Sequence, residues 1–244
     1  PKIYILIDEY DQFANELLAF DTERFKQDIG RNEFVRKFYE SIKDVYMDIY
    51  KKLGIGDDTF ITFASGGDFT KSYSHEFQTL LSAGEDTIYL DRETNIAYNS
   101  EIATPEDGKR LGVEFNQLEK LKASEVGNIF PLGTKFSKAL NYQFVDSKDK
   151  KDYVWMGSYG IGISRLMGVV TEKMADDKGL VWPESISPFR FHLGVLPDKA
   201  SLEAADKLYE ALGAESCLYD DREDISPGQK FSDAELIGCP VQLV

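Results

Sequence analysis

Residues 156–165 read Met156-Gly157-Ser158-Tyr159-Gly160-Ile161-Gly162-Ile163-Ser164-Arg165. An extended, apolar lead-in runs into a glycine-rich turn, and a helix is predicted from about Ile161 to Met174, with Arg165 near its start. Glycine lets a backbone come close to a flat ligand, and a guanidinium fork meets a phosphate at a fixed distance. The glycine order is G-x-x-G-x-G, not the G-x-G-x-x-G of dinucleotide sites, which argues against a nicotinamide cofactor. No G-x-x-x-x-G-K-[ST] occurs, so the sequence holds no P-loop. The alternative is that the glycines only allow a helix to pack closely on a sheet, with Arg165 a surface arginine paired with a carboxylate.

Around this stretch the predicted elements are mostly short strands. Ile3–Ile7 reads as a buried strand. Phe34, Phe38, Ile42, Val45, Ile49 and Leu53 recur at three- and four-residue steps, the face of one helix, and Gly54 is its natural stop. Phe60–Ala64 reads as a strand, and residues 87–91 and 96–98 as a hairpin. Residues 102–112 read as a polar loop, 124–130 and 142–145 as strands, 146–152 as a charged turn and 153–156 as a further strand. Strands in sequence with few crossover helices predict an antiparallel sheet. Beyond Trp182-Pro183 and Pro188 the pattern alternates: strand 189–195, helix 201–212, strand 216–219, a helix near 231–237 and a strand from Val241. That is the opening of a small α/β domain.

The 244 residues suffice for one large or two small domains. Net charge is −15, which argues against a broad nucleic-acid surface, because phosphate contacts need clustered Lys and Arg. No apolar run approaches the ~18–20 residues of a membrane span. The start of the chain does not read as a secretory signal, so a cytoplasmic location and no membrane partner are expected. Cys217 and Cys239 lack metal spacing and are expected to be buried free thiols.

Two further segments offer chemistry. In Ser74-His75-Glu76-Phe77, a carboxylate beside an imidazole can hold a small ammonium group; the plainer alternative is a satisfied polar pair on a strand. His192, the other histidine, reads as structural. In Glu125-Val126-Gly127-Asn128, a carboxylate and an amide lie on one strand, where carboxylates near phosphates commonly hold magnesium; the plainer alternative is an edge strand with a polar face.

Taken together, SHEFQTL, GEDTIY, EVGNIFPLGTKFSKAL, MGSYGIGISRLMG and GLVWPESISPF resemble the class II prolyl-tRNA synthetases, in order and at suitable spacing. The tail DDREDISPGQKFSDAELIGCPVQLV resembles the opening of their anticodon-binding domain. The likeness spans roughly residues 33–244. It implies an α+β fold: a class II antiparallel sheet with helices over residues 41–187, truncated, and a partial α/β anticodon-binding domain over 188–244. It implies ATP-dependent activation of proline and transfer to tRNA, with ATP and Mg2+ as cofactors. Arg165 would sit at the γ-phosphate, Gly160 and Gly162 under the adenine, and Glu125 and Asn128 toward ATP, with Glu125 on the magnesium. His75, Glu76, Gly157 and Ser158 would form the proline pocket, Glu76 meeting the imino nitrogen. No side chain acts as nucleophile.

The family also carries a motif 2 arginine, in a segment reading roughly R-E-F-x-M-K-D, and a dimer-forming motif 1. Neither has a counterpart in residues 1–30. An incomplete or chimeric chain of impaired activity is therefore expected, with weakened tRNA binding and without the segment that makes the family homodimeric. Residues 1–40 resemble instead the Walker B region of an AAA-ATPase-like family, with Asp8 and Glu9 at the magnesium shell. The competing readings are a non-catalytic binding module descended from a synthetase and a fragment of an AAA-type ATPase.

Overall fold

The computed structural model describes residues 31–146, 148–196 and 199–244. The expected strand Ile3–Ile7 and the pair Asp8-Glu9 lie outside the described residues. The architecture is α+β, and the described residues divide into two compact units, one from residues 31–45 and 131–157 and the other from residues 46–130 and 158–244.

In chain order, helix α1 spans Arg31–Lys52, followed by strands β1 (Thr59–Ala64), β2 (Ser74–Leu80), β3 (Asp86–Asp91) and β4 (Ile96–Asn99). Helix α2 (Pro105–Leu111) precedes the long strand β5 (Glu119–Gly133). Helix α3 (Lys135–Ala139), strands β6 (Gln143–Val145) and β7 (Lys151–Tyr153), strand β8 (Met156–Ile161) and helix α4 (Ile163–Met174) come next. The chain ends with β9 (Phe191–Gly194), α5 (Lys199–Leu212), β10 (Cys217–Asp220), α6 (Pro227–Ile237) and β11 (Val241–Leu243).

The main sheet runs β2-β1-β4-β3-β5-β8, with β2 also pairing β5. Its described pairings are antiparallel except β1 with β4. The β3–β4 hairpin turns at Asn95, which takes the left-handed conformation that asparagine tolerates (φ 57°). One apolar cluster gathers Phe60, Ile88, Leu90, Ala97 and Ala123. Elsewhere in the sheet, Phe77 packs under Tyr46 and Tyr50 of α1, ring centroids 5.0 and 5.4 Å away. The smaller unit contains α3 and the β6–β7 hairpin.

Three expectations are corrected. Residues 102–112 are not a plain loop: Thr104 accepts a hydrogen bond from Asp107 N–H as the N-cap of α2, Pro105 opens the helix and Gly112 closes it. The glycine-rich stretch is not a turn but strand β8, and α4 begins at Ile163, two residues later than predicted. The strand expected at 124–130 is the middle of the fifteen-residue β5.

The C-terminal segment forms a separate parallel sheet, β10-β9-β11, around Leu193, Val195, Ala205 and Cys217. Cys217 and Cys239 are buried free thiols, and His192 is buried on β9. Lys230 is buried as well. Its ammonium donates to the main-chain carbonyls of Val195 (2.8 Å) and Asp220 (3.0 Å), which end β9 and β10. Arg222 reaches Asp233 with one hydrogen bond and holds the Asp220 carboxylate with two, and the bonds to Asp220 depress its pKa to about 2.

A strap after α4 joins this module to the main sheet's helices. A helix leaves its last carbonyls unpaired. Leu180 N–H donates to Glu235 O (2.9 Å), Trp182 N–H to Gly238 O (3.0 Å) and the Trp182 indole to Ile237 O (3.0 Å), all at the end of α6. Ser185 donates to Lys52 O (2.7 Å) at the end of α1. One segment thus satisfies orphan acceptors at the ends of two helices. No helix among the described residues is long and apolar enough to cross a membrane.

Candidate functional site

Side chains alternate across a strand, so neighbours in sequence point to opposite faces of the sheet. On β2, His75 and Phe77 face one way; Glu76 and Gln78 face the other. His75 lies opposite Phe63 of β1, ring centroids 4.7 Å apart. The structure therefore separates His75 from Glu76 by the thickness of the sheet and does not bring the two into one pocket.

Glu76 is buried in a polar network. Its Oε2 accepts from Gln78 Nε2 (2.9 Å) and from Asn99 Nδ2 (3.0 Å). The same Gln78 nitrogen donates to Asp86 Oδ2 at 2.6 Å. Glu76, Asp86 and Glu125 each bring a carboxylate oxygen to within 4.8 Å of the others. Burial pushes the Glu76 pKa up to about 7; the amide hydrogen bonds oppose this, and the negative charges of Glu125 and Glu101 add to it. Gln78 is wholly buried, and its carbonyl Oε1 has no hydrogen-bond partner.

Glu125 and Asn128 share a face for a reason that residue counting does not show. Three positions apart on a regular strand, they would point oppositely. The β2–β5 register pairs Phe77 with Gly127 and Gln78 with Glu125, leaving Val126 as an extra, bulged residue. The bulge restores both side chains to one face, and Asn128 Nδ2 donates to Glu125 Oε1 at 2.9 Å.

Strand β8 lies beside β5 at the edge of the sheet, and Gly162 N–H donates to the bulged Val126 O (3.1 Å). A side chain on Gly127 would collide with the Tyr50 hydroxyl and come within 2.9 Å of Gly160 O; one on Gly160 would meet Asn128 Oδ1 at 3.3 Å. The glycines here allow close strand approach next to the polar face. Ser158 is exposed on β8, and Gly157 belongs to the smaller unit.

Arg165 sits in the first turn of α4. Its Nη1 donates to Glu125 O (3.2 Å) and lies 3.2 Å from Glu85 Oε1 and 3.6 Å from Glu125 Oε2. The guanidinium is half exposed, so these ion pairs orient it more than they stabilise the fold. Gly162, at the cap of α4, supplies no side-chain acceptor, which leaves the helix start open toward anions. Glu85 is held in turn by Ser124 Oγ (3.0 Å).

The structure thus brings Glu76, Glu125, Asn128, Gly160, Gly162 and Arg165 into one region and leaves His75 outside it. Gln78, Asp86, Asn99 and Glu85 join them, four residues that were not among the expected site residues. Gln78 had a signal: it stands two residues after Glu76, hence on the same face. The carboxylates are hard oxygen donors of the kind that suit Mg2+, and Glu125, with one oxygen toward Arg165 and one toward Asn128, lies at the centre of the group.

Residues 21–174 match the family described as tRNA synthetase class II core domain (G, H, P, S and T), and residues 186–244 match the anticodon binding domain. The chain is 37% identical over 242 residues to the proline--tRNA ligase of Wolbachia sp. subsp. Drosophila simulans (strain wRi), covering 95% of this chain and 56% of the relative. It is 35% identical over 246 residues to that of Anaplasma marginale (strain St. Maries), with the same coverage. The chain spans a little over half the length of these curated relatives. A solved prolyl-tRNA synthetase from Cryptosporidium parvum, complexed with L-proline and AMP, has a TM-score of 0.58 at 19% identity, covering 85% of this chain and 38% of that one, a likeness of fold.

Proposed function

The chain belongs to the class II tRNA synthetase family, and on that premise we propose that it is the proline-activating part of a proline–tRNA ligase. The reaction is attack of the proline carboxylate on the α-phosphate of ATP, with pyrophosphate as leaving group, followed by transfer of the prolyl group to tRNA. The observation that carries this reading is the charge balance of one face. Glu76, Asp86 and Glu125 cluster together, and Glu125 and Glu85 pair with the guanidinium of Arg165. Such a face repels a bare polyanion and accepts one that arrives with a divalent cation, together with a second ligand bearing an ammonium group.

In this reading Glu76 takes the imino nitrogen of proline, and Ser158 borders the amino-acid site. Arg165 and the open start of α4 take the terminal phosphates. Gly160 and Gly162 leave room for the adenine. Asn128 and Glu125 face the nucleotide, with Glu125 holding Mg2+; the ion would neutralise phosphate charge when bound. No side chain forms a covalent intermediate, so catalysis rests on orientation and charge stabilisation. Residues 186–244 engage the tRNA, and the work is done in the cytoplasm.

The test is thermal stabilisation by a non-hydrolysable prolyl-adenylate analogue. Binding to the native state alone raises the melting temperature. A clear rise with the prolyl compound and none with its threonyl counterpart is expected. Equal responses, or none, would sink the assignment and leave a synthetase-derived binding module. Proline-dependent ATP–pyrophosphate exchange then measures activity directly.

A further inference from the structure

We propose that Gln78 is a positioning residue for proline recognition, fixing Glu76 in place without touching the substrate. The proposal rests on the assignment of Glu76 to the imino nitrogen.

A single amide nitrogen, Gln78 Nε2, uses its two hydrogens on two different carboxylates, Glu76 Oε2 at 2.9 Å and Asp86 Oδ2 at 2.6 Å. Asn99 adds a third donor, to the same Glu76 oxygen at 3.0 Å. One oxygen of Glu76 is thereby occupied by two amides, which fixes the side chain and leaves the other oxygen for a cation. Without Gln78, nothing among these contacts offsets the repulsion between Glu76 and Asp86, and the two acids would turn apart.

The independent observation is the state of Gln78 itself. The residue is wholly buried and its own carbonyl oxygen is unpaired. A buried polar atom without a partner costs stability, a cost that comes with the amide whose nitrogen serves the two acids. Turning the amide by 180° would aim its carbonyl at two carboxylates, so the orientation is dictated by the acids it holds. A buried amide with an unpaired carbonyl, one donor on the proposed ligand-binding acid and the other on its neighbour Asp86, fits a role in the site.

The decisive variant is Gln78→Met, which keeps the volume and removes both donors and the orphan acceptor. Proline affinity is measured by calorimetry on the whole chain, alongside the thermal midpoint. The expected result is a loss of at least tenfold in the proline affinity of the folded fraction. Gln78→His, which keeps one ring donor, is expected to recover part of the affinity. A residue with a merely structural role would give the opposite pattern: a lowered midpoint with affinity preserved in the folded fraction, and that result overturns the proposal. A crystal structure of Gln78→Met separates this inference from the reading it rests on. If the unaltered chain fails to bind proline but Glu76 and Asp86 have moved apart in the variant, the proline assignment falls and the positioning role stands. If the two acids stay in place, the positioning role falls, whatever the chain binds.

Discussion

Asn128 donates a hydrogen bond to Glu125 although the two stand three positions apart on one strand, because Val126 is bulged out of register. The bulge also offers its carbonyl to Gly162, so the point where β5 departs from regular pairing is where the strand leading into α4 is fastened. Geometry at the polar face and the entry angle of the arginine-bearing helix are set by one irregularity.

Gly127 sits beside that bulge with no room for a side chain. A methyl group there would strike the Tyr50 hydroxyl and crowd Gly160 O. Gly127→Ala is expected to cost roughly 2 kcal/mol, the usual scale of overpacking, and to lower the midpoint of urea denaturation. An unchanged midpoint would refute close packing of Gly127 against Tyr50 and Gly160.

Glu76 makes stability depend on pH. Its pKa is raised from the ordinary 4.5 to about 7, mainly by burial. Between those values the folded chain binds more protons than the unfolded one, so stability falls as pH rises from about 4.5 through 7. Glu76→Gln removes this loss. It is expected to be more stable than the unaltered chain at pH 8, by roughly 3 kcal/mol, and nearly equal to it at pH 5. Denaturation curves at the two pH values decide the point, and a difference that does not change with pH refutes it. In the proposed function the same variant loses proline binding at pH 8.

Arg165 should matter to the nucleotide and little to the fold. Arg165→Ala is expected to cost about 2–4 kcal/mol of transition-state stabilisation in proline-dependent pyrophosphate exchange. Its exposed ion pairs contribute only about 0–1 kcal/mol to stability, so the melting temperature should barely move. A large drop in melting temperature with exchange retained would reverse the assignment.

The strap between α4 and β9 can be loosened by one methyl group. Gly179 approaches the Glu235 carbonyl so closely that any side chain would collide with it. Gly179→Ala should therefore break the Leu180 and Trp182 hydrogen bonds to the end of α6. Limited proteolysis is expected to cut faster within residues 179–188, yielding an intact C-terminal fragment. Cleavage at the unaltered rate would show that the strap is not what holds the module.

Much of the fold was legible because its signals are local. Helix α1 announces itself by spacing, the β3–β4 hairpin by turn residues between apolar runs, and the C-terminal module by alternation of strand and helix. Helix α2 was equally legible, since Thr104, Pro105 and Gly112 are a start and a stop, but its polar composition led to a loop reading. The glycine-rich stretch misled for a physical reason: glycine serves turns and closely approaching strands alike, and only the neighbouring strand distinguishes them. At the site, adjacency was mistaken for proximity in His75 and Glu76, where the two-residue period of a strand already pointed them apart. The bulge at Val126 and the convergence of Gln78, Asn99 and Asp86 depend on pairing between distant segments, which no local pattern carries.

Lys230 and Arg222 have a consequence for polynucleotide binding. The ammonium of Lys230 is committed to two strand-end carbonyls and the guanidinium of Arg222 to two carboxylates. Neither cation is available to displace condensed counterions from a phosphate backbone, and the chain as a whole is acidic. Phosphate contacts by this module then fall to its other basic residues, Arg190, Lys199 and Lys207, and its affinity for RNA should decline only gently as potassium chloride is added.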